Sequence, residues 1–405
     1  MQATLNQTPR ANRTHIGFFG KMNSGKSSLI NALANQEISI VSDVSGTTTD
    51  PVKKSMEIHG IGPCVLVDTA GFDDIGSLGE KRIALTEKAA KETDIAVILF
   101  QDYDMEKELS WYRFFKEADT PVLAVISKID VLEDADALEQ SVKEKTDAKV
   151  LKVSALKREG IEELKNALIE ALPKSKEKRF ITGNLVSEGD TVLLIMPQDI
   201  QAPEGRLILP QVQTIRELLD KKCLVMSATT DKLEQALAAM AEPPKLIITD
   251  SQVYKTVYEK KPKESKLTSF STLFAAYKGD ISYYIEGAKA IETLTENSKV
   301  LIAECCTHAP LKEDIGREKL PRLLRKKVGE NLTIDIVGGA DFPADLSGYD
   351  LVIQCGACMF NRKYVMSRIN EAKKQEIPMS NYGIVIAYLN GILDKITVPK
   401  EESLA

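Results

Sequence analysis

No stretch of this sequence supplies the roughly 20 consecutive apolar residues that a membrane-spanning helix needs. The longest apolar runs, such as YGIVIAYLNGIL (382–393), fall short. The opening stretch MQATLNQTPRANRTH is polar, without the apolar core of a secretory leader, so a short flexible tail and a cytoplasmic protein are expected. Six cysteines in 405 residues are too few and too scattered for a disulfide framework. There is no internal repeat and no low-complexity tract. The net charge is −6, and no stripe interleaves basic with aromatic residues. This disfavours a large non-specific nucleic-acid-binding surface, though not a local basic patch, and neither nucleic acid nor membrane is an expected partner. Apolar residues make up 43% of the chain, which excludes disorder as its general state.

What is present is an alternation of strand and helix patterns along nearly the whole length, which predicts parallel α/β sheets. After a tail at 1–13, residues 14–175 contain the strand patterns HIGFFG, PCVLVDT, DIAVILF, PVLAVIS and AKVLKVS. PKSKEKRF reads as a charged linker. Residues 176–264 form a small βαβαβα unit built on DTVLLIMP, KCLVMSA and KLIITD. EKKPKESK is a second linker, and 265–405 hold KVLIAEC, TIDIV and DLVIQC among helices. The predicted fold is thus a three-domain α/β chain: an N-terminal P-loop domain, a small α/β middle domain and a C-terminal α/β metal-cluster domain.

GKMNSGKS (Gly20–Ser27) fits G-x-x-x-x-G-K-[ST] and lies between a predicted strand and a predicted helix. In that setting, backbone N–H groups around Gly20, Ser24 and Gly25 curl about phosphate oxygens. Lys26 adds a point charge, the Ser27 hydroxyl ligates Mg²⁺, and the helix start at Ser28 adds its dipole.

Residues 14–175 resemble the translation-factor-like GTPases. DTAG (Asp68–Gly71) looks like their metal and γ-phosphate sensor, and SKID (Ser127–Asp130) like their guanine-reading motif. SAL (Ser154–Leu156) resembles the last base-contacting loop, with Ser154 and Ala155 beside the base. The resemblance implies GTP/GDP binding, with Lys128 and Asp130 serving the guanine although Ser127 replaces the usual Asn. It implies a Mg²⁺-binding threonine at Thr48, with Thr47 the alternative, and a catalytic set of Lys26, Thr48, Asp68 and Gly71. Phe72 stands where many GTPases carry a water-orienting glutamine. Asn23 resembles the residue with which potassium-activated GTPases hold K⁺, so slow, K⁺-stimulated turnover is expected.

Cys64 and Cys223 lie in apolar runs and are expected in cores. The other four cysteines fall between 305 and 358, as does His308, one of only three histidines. His15 and His59 sit at strand ends and read as structural. In AECCTHAP, Cys306 and His308 would share a face of an extended segment, with Cys305 pointing into packing. LVIQCGACMFN carries Cys355 and Cys358 as C-x-x-C after a strand. If the strands KVLIAEC and DLVIQC share one parallel sheet, their C-terminal ends meet at one edge. Spacing alone leaves open a [4Fe–4S] cluster on three thiolates, a Cys₃His zinc site, or a redox dithiol.

The three parts together resemble the [FeFe]-hydrogenase maturation GTPases. That resemblance implies a [4Fe–4S] cluster on Cys306, Cys355 and Cys358, with His308, Glu304, another carboxylate or solvent as fourth ligand; Gln354 replaces a histidine frequent before the C-x-x-C. It implies a scaffold or carrier for a transient di-iron subcluster with CO and CN⁻ ligands. The partners implied are two radical-SAM maturases, the apo-hydrogenase and further copies of the chain through the middle domain. The alternative is a nucleic-acid-related GTPase, for RNA modification or ribosome assembly, with a structural zinc knuckle.

Overall fold

The strands that read as unbroken apolar runs are buried on both faces. In a computed structural model, residues 9–34, 42–44, 52–71, 77–172, 179–197, 207–305, 315–339 and 341–399 are described. The chain divides into two compact units, 1–176 and 177–405.

The first unit contains β1 (Thr14–Phe19), α1 (Lys26–Ala34), β2 (Ser42–Val44), β3 (Val52–Ile58), β4 (Gly62–Asp68) and α2 (Ser77–Lys91). It continues with β5 (Ile95–Phe100), α3 (Glu106–Glu117), β6 (Val122–Ser127), α4 (Ala135–Lys145), β7 (Lys149–Val153) and α5 (Ile161–Ala171). The sheet order is β2-β3-β4-β1-β5-β6-β7, with β3 antiparallel to both neighbours and the remaining pairs parallel. Successive side chains of β5 serve opposite layers, as the strand pleat requires. Ile95, Val97 and Leu99 join one core with Leu29, Leu33 and Leu164, while Ala96, Ile98 and Phe100 join another with Phe115 and Val142. Residues 9–13, expected to belong to a flexible tail, include a short turn, and Ala11 and Arg13 are buried.

The second unit holds two four-stranded parallel sheets. The first uses β8 (Thr191–Ile195), α6 (Leu209–Asp220), β9 (Leu224–Ala228), α7 (Leu233–Ala238), β10 (Leu246–Thr249), α8 (Tyr254–Lys260) and β11 (Lys266–Ser269), in the order β11-β10-β8-β9. This sheet runs past the linker expected to close the middle domain at 264, because β11 pairs with β10. Next come α9 (Phe270–Lys278), α10 (Ile281–Lys289), β12 (Lys299–Ala303), α11 (Leu320–Val328), β13 (Thr333–Val337), β14 (Leu351–Gln354), α12 (Arg362–Lys374), β15 (Met379–Asn381) and α13 (Tyr382–Leu389). The last sheet has the order β13-β12-β14-β15.

Two strand ends double as helix caps. Ser269 closes β11 and accepts the Thr272 N–H at the start of α9, and Asn381 closes β15 and accepts the Gly383 N–H at the start of α13. The two helices pack between the sheets. Leu273 and Phe274 of α9 belong to the middle core and Ala275 and Ala276 to the C-terminal one, while α13 contributes Ile384 and Ala387 to different cores. The approach is close enough that a Cβ on Gly383 would lie 3.0 Å from Ser271 Cβ and from the Thr272 nitrogen.

Candidate functional site

Because β1, β4, β5, β6 and β7 run the same way, their C-terminal ends gather Gly20, Asp68, Ser127 and Ser154 along one edge, the usual ligand edge of such sheets. The loop Gly20–Ser27 turns through two left-handed residues, Asn23 (φ 61°) and Gly25 (φ 94°). Lys26, at the start of α1, is buried and folds back over the loop. Its Nζ donates to the carbonyls of Gly20 (2.9 Å) and Lys21 (2.7 Å). Ser24 is fully buried beneath it, and Ser27 and Ser28 are exposed.

The Ser27 hydroxyl donates to Asp68 Oδ2 at 2.5 Å. Burial pushes the Asp68 carboxyl above its usual range, against the pull of Ser27 and of Lys26. A hydroxyl and a carboxylate so placed are hard oxygen donors of the kind Mg²⁺ takes. Gly71 follows, half-buried.

The SKID and SAL motifs are tied together. Ser127 is buried and its Oγ lies 3.4 Å from the Phe100 carbonyl, so the short side chain still tethers β6 to β5. Lys128 has φ 57°, and a Cβ on Gly25 would meet its Cε at 3.7 Å, so its stem lies along the phosphate loop. Ser154 Oγ donates to Asp130 Oδ1 at 2.6 Å and accepts the Lys157 N–H at 3.1 Å. That hydrogen bond holds the Asp130 carboxyl below its usual range. Ala155 follows Ser154, half-buried. His15 lies at the other end of β1, where burial lowers its pKa.

Sequence reasoning missed a feature beside the phosphate loop. Lys21 pairs with Asp102 (2.9 Å) and with Asp104 (3.3 Å). Nearby Glu108 in α3 is 1% exposed, its Oε2 has no hydrogen-bond partner, and burial pushes its pKa up to about 7.

The second site lies at the end of the last sheet. β12 and β14 are parallel neighbours with Ala303 opposite Gln354. The Cys355 N–H donates to the Ala303 carbonyl at 3.1 Å, and the Cys305 N–H donates to Cys355 Sγ at 3.2 Å. The hydrogen bonding between Cys305 and Cys355 lowers the Cys355 pKa, whereas burial drives that of Cys305 far up. Cys64, Cys223 and Cys305 are buried in cores. Beyond Cys355 the backbone turns through Ala357 (φ 50°) to Cys358, which is part-exposed, and Asn361 then caps α12.

Two buried cations flank this loop, neither anticipated from sequence. Lys278, the last residue of α9, donates from Nζ to the carbonyls of Ala357 (3.0 Å), Cys358 (3.1 Å) and Phe360 (2.7 Å). Burial brings its pKa down to about 8, against the pull of the cysteines Cys358, Cys305 and Cys355. Arg368 donates to the Gly339 carbonyl at 2.6 Å, and its guanidinium lies 4.8–4.9 Å from the ring centres of Phe342, Phe360 and Tyr364. Glu304 accepts from Arg317 Nε at 3.0 Å.

Thr47, Thr48, Phe72, Cys306 and His308 lie outside the described residues. Among the described residues, no group of three His, Cys, Asp or Glu side chains is placed to hold a metal ion, and no helix is long and apolar enough to cross a membrane.

Comparison with known proteins assigns the three parts. The family model described as 50S ribosome-binding GTPase matches residues 15–128. Those described as Hydrogen maturase F dimerization domain and Hydrogen maturase F tetramerization domain match 181–279 and 282–399. The chain belongs to the hydrogen maturase F family. It is a mixed α/β protein with an N-terminal P-loop GTPase domain followed by the family's dimerisation and tetramerisation domains, which support homo-oligomerisation.

Its GTPase part is similar to the tRNA modification GTPase MnmE of Nitrosomonas europaea, 39% identical over 154 residues, 37% of this chain and 33% of that one. It is also similar to GTPase Der of Wolinella succinogenes, 51% identical over 87 residues, 21% of this chain and 18% of that one. The chain spans about a third of the length of the curated MnmE relatives it matches. Among solved structures, Era in complex with MgGDPNP and a 16S ribosomal RNA segment aligns at TM-score 0.34 and 17% identity, covering 56% of this chain and 98% of that one. These MnmE and Der likenesses cover at most about two fifths of the chain. The two hydrogen maturase F models account for most of the rest, so the zinc-knuckle, nucleic-acid alternative is not supported.

Proposed function

We propose that this hydrogen maturase F family member is a GTP-hydrolysing scaffold or carrier in [FeFe]-hydrogenase maturation, acting in the cytoplasm. Its GTPase domain binds GTP and GDP with Mg²⁺, held by Ser27, Thr48 and Asp68. Lys26 and Gly71 face the γ-phosphate, and Asn23 holds K⁺. Slow hydrolysis makes the nucleotide a switch. The GTPase domain runs over 14–175, the middle domain from 176 through β11, and the remainder of the chain binds a [4Fe–4S] cluster on Cys306, Cys355 and Cys358, with His308, Glu304, another carboxylate or solvent at the fourth iron. The di-iron CO/CN⁻ subcluster is cargo, built with two radical-SAM maturases and passed to the apo-hydrogenase.

The observation that carries this reading is the pairing of β12 with β14. It sets Cys305 beside Cys355, with an amide N–H on the Cys355 sulfur. The residues present fit a thiolate-bound anionic group, because an amide N–H points at the Cys355 sulfur and a buried ammonium holds the same loop. Such a cluster, when bound, offers one iron without a cysteine ligand, open to exchange. The protein's part is to hold three sulfurs on one sheet edge and to keep Glu304 oriented through Arg317.

Anaerobic reconstitution with iron and sulfide, followed by EPR of the reduced protein, tests this. A cubane signal is expected in the wild type and its loss in Cys355→Ala. About one zinc per chain without iron, or a signal unchanged in the variant, overturns the proposal.

A further inference from the structure

Lys278 is 2% exposed and Arg368 3% exposed, yet among the described residues neither makes an ion pair with a carboxylate. A buried charge is costly unless an opposite charge compensates it. Lys278 has three carbonyl partners, all on the loop 357–360, and one aromatic neighbour, Phe274, at 5.6 Å from Nζ to ring centre. Carbonyl dipoles satisfy its three N–H donors but leave its unit charge without a counter-ion. A neutral donor would serve the same carbonyls without the desolvation of a charge. The ionisable side chains that act on it are Cys358, Cys305 and Cys355.

We propose that Lys278 is a positioning residue whose fixed positive charge balances an anionic group bound through Cys355 and Cys358, and so raises the reduction potential of that group. This rests on the cluster reading above. Adding an electron makes a thiolate-ligated cluster more negative, and a cation held a few bonds from two of its ligands stabilises that reduced form. The same lysine fixes the loop geometry, because one ammonium gathers carbonyls on both sides of Cys358. Arg368 adds a second buried cation behind Cys305, anchored by three rings rather than by an acid.

The test uses full-length wild type, Lys278→Met and Lys278→Arg. Three quantities are read: iron per chain after anaerobic reconstitution, the midpoint potential of the cluster by EPR-monitored redox titration, and thermal unfolding of the metal-free protein. Lys278→Met is expected to unfold at a lower temperature when metal-free, because the carbonyls of Ala357, Cys358 and Phe360 lose their donor, and Lys278→Arg, which still donates, is expected to lose less. Once loaded, the Lys278→Met cluster is expected to titrate at a more negative potential than that of the wild type, and Lys278→Arg to stay near the wild type. An unchanged potential in Lys278→Met overturns the inference. So does a potential in Lys278→Arg as negative as that in Lys278→Met, since the loop contacts and not the charge would then set it. Failure of the wild type itself to take up iron and sulfide counts instead against the cluster reading.

Discussion

The amide of Cys305 donates to the sulfur of Cys355 across 50 positions of sequence, at 3.2 Å. That contact exists because β12 and β14 are parallel neighbours, so their C-terminal residues leave the sheet side by side. An N–H···S bond favours the ionised sulfur, and its donor residue is itself a buried, neutral thiol. One cysteine therefore assists another.

The proposed guanine contact of Asp130 carries a prediction about base choice. Asp130 accepts from Ser154 through Oδ1, which orients its carboxylate. Asp130→Asn replaces an acceptor by a donor opposite the N–H groups of guanine. GTP affinity is expected to fall about tenfold or more, in line with the loss of a charge-assisted hydrogen bond. Titration with a fluorescent, non-hydrolysable GTP analogue measures it, and equal affinity in the two proteins would refute the assignment.

Asn23 carries the potassium prediction. It sits in the phosphate loop with φ 61° and is exposed at the ligand edge. GTP turnover is expected to be faster in KCl than in NaCl, and Asn23→Ala to abolish the difference, at a cost of about tenfold or more in the K⁺ rate. Equal wild-type rates in the two salts would remove K⁺ from the account.

Packing between the two sheets of the second unit gives a third. A Cβ on Gly383 would press on Ser271 and on the backbone at Thr272, where α13 meets α9. Gly383→Val is expected to cost about 1–3 kcal/mol of stability by overpacking. Urea unfolding of the metal-free protein checks it, and an unchanged midpoint would mean that the helices part without penalty.

The nucleotide site was legible because its motifs are contiguous: GKMNSGKS, DTAG and SKID each lie on one turn after one apolar strand. The adjacency of β12 and β14 was also within reach, because each is built on a short apolar run, VLIA and LVI. The strands β3, β11 and β15 were not. The first is broken by Lys53, Lys54 and Glu57, and the others have only four and three residues, too short for a period to show. Lys278 was hidden for a different reason. A lysine closing a helix reads as an ordinary partner of the helix dipole. Only the fold brings it to carbonyls about 80 positions away.

Glu108 combines burial with a position beside the phosphate loop, so its ionisation should appear in the stability of the whole first unit. Its pKa rises from 4.5 to about 7 chiefly through burial, with Asp102 and Asp104 pushing it further up and Lys21 opposing them. A carboxyl whose folded pKa exceeds its unfolded one binds its proton more tightly in the folded state. Its contribution is therefore fully present below about pH 4.5 and is lost as pH rises through about 7. A shift of this size corresponds to on the order of 2–3 kcal/mol. Glu108→Gln cannot ionise and should keep that stability at every pH. Between pH 5 and pH 8 the wild type is expected to lose stability relative to Glu108→Gln, with the two curves meeting at the acid end. Chemical unfolding of both proteins at several pH values measures the gap. Parallel curves would mean that Glu108 is already ionised in the folded protein at pH 5, which its buried and unpartnered Oε2 argues against.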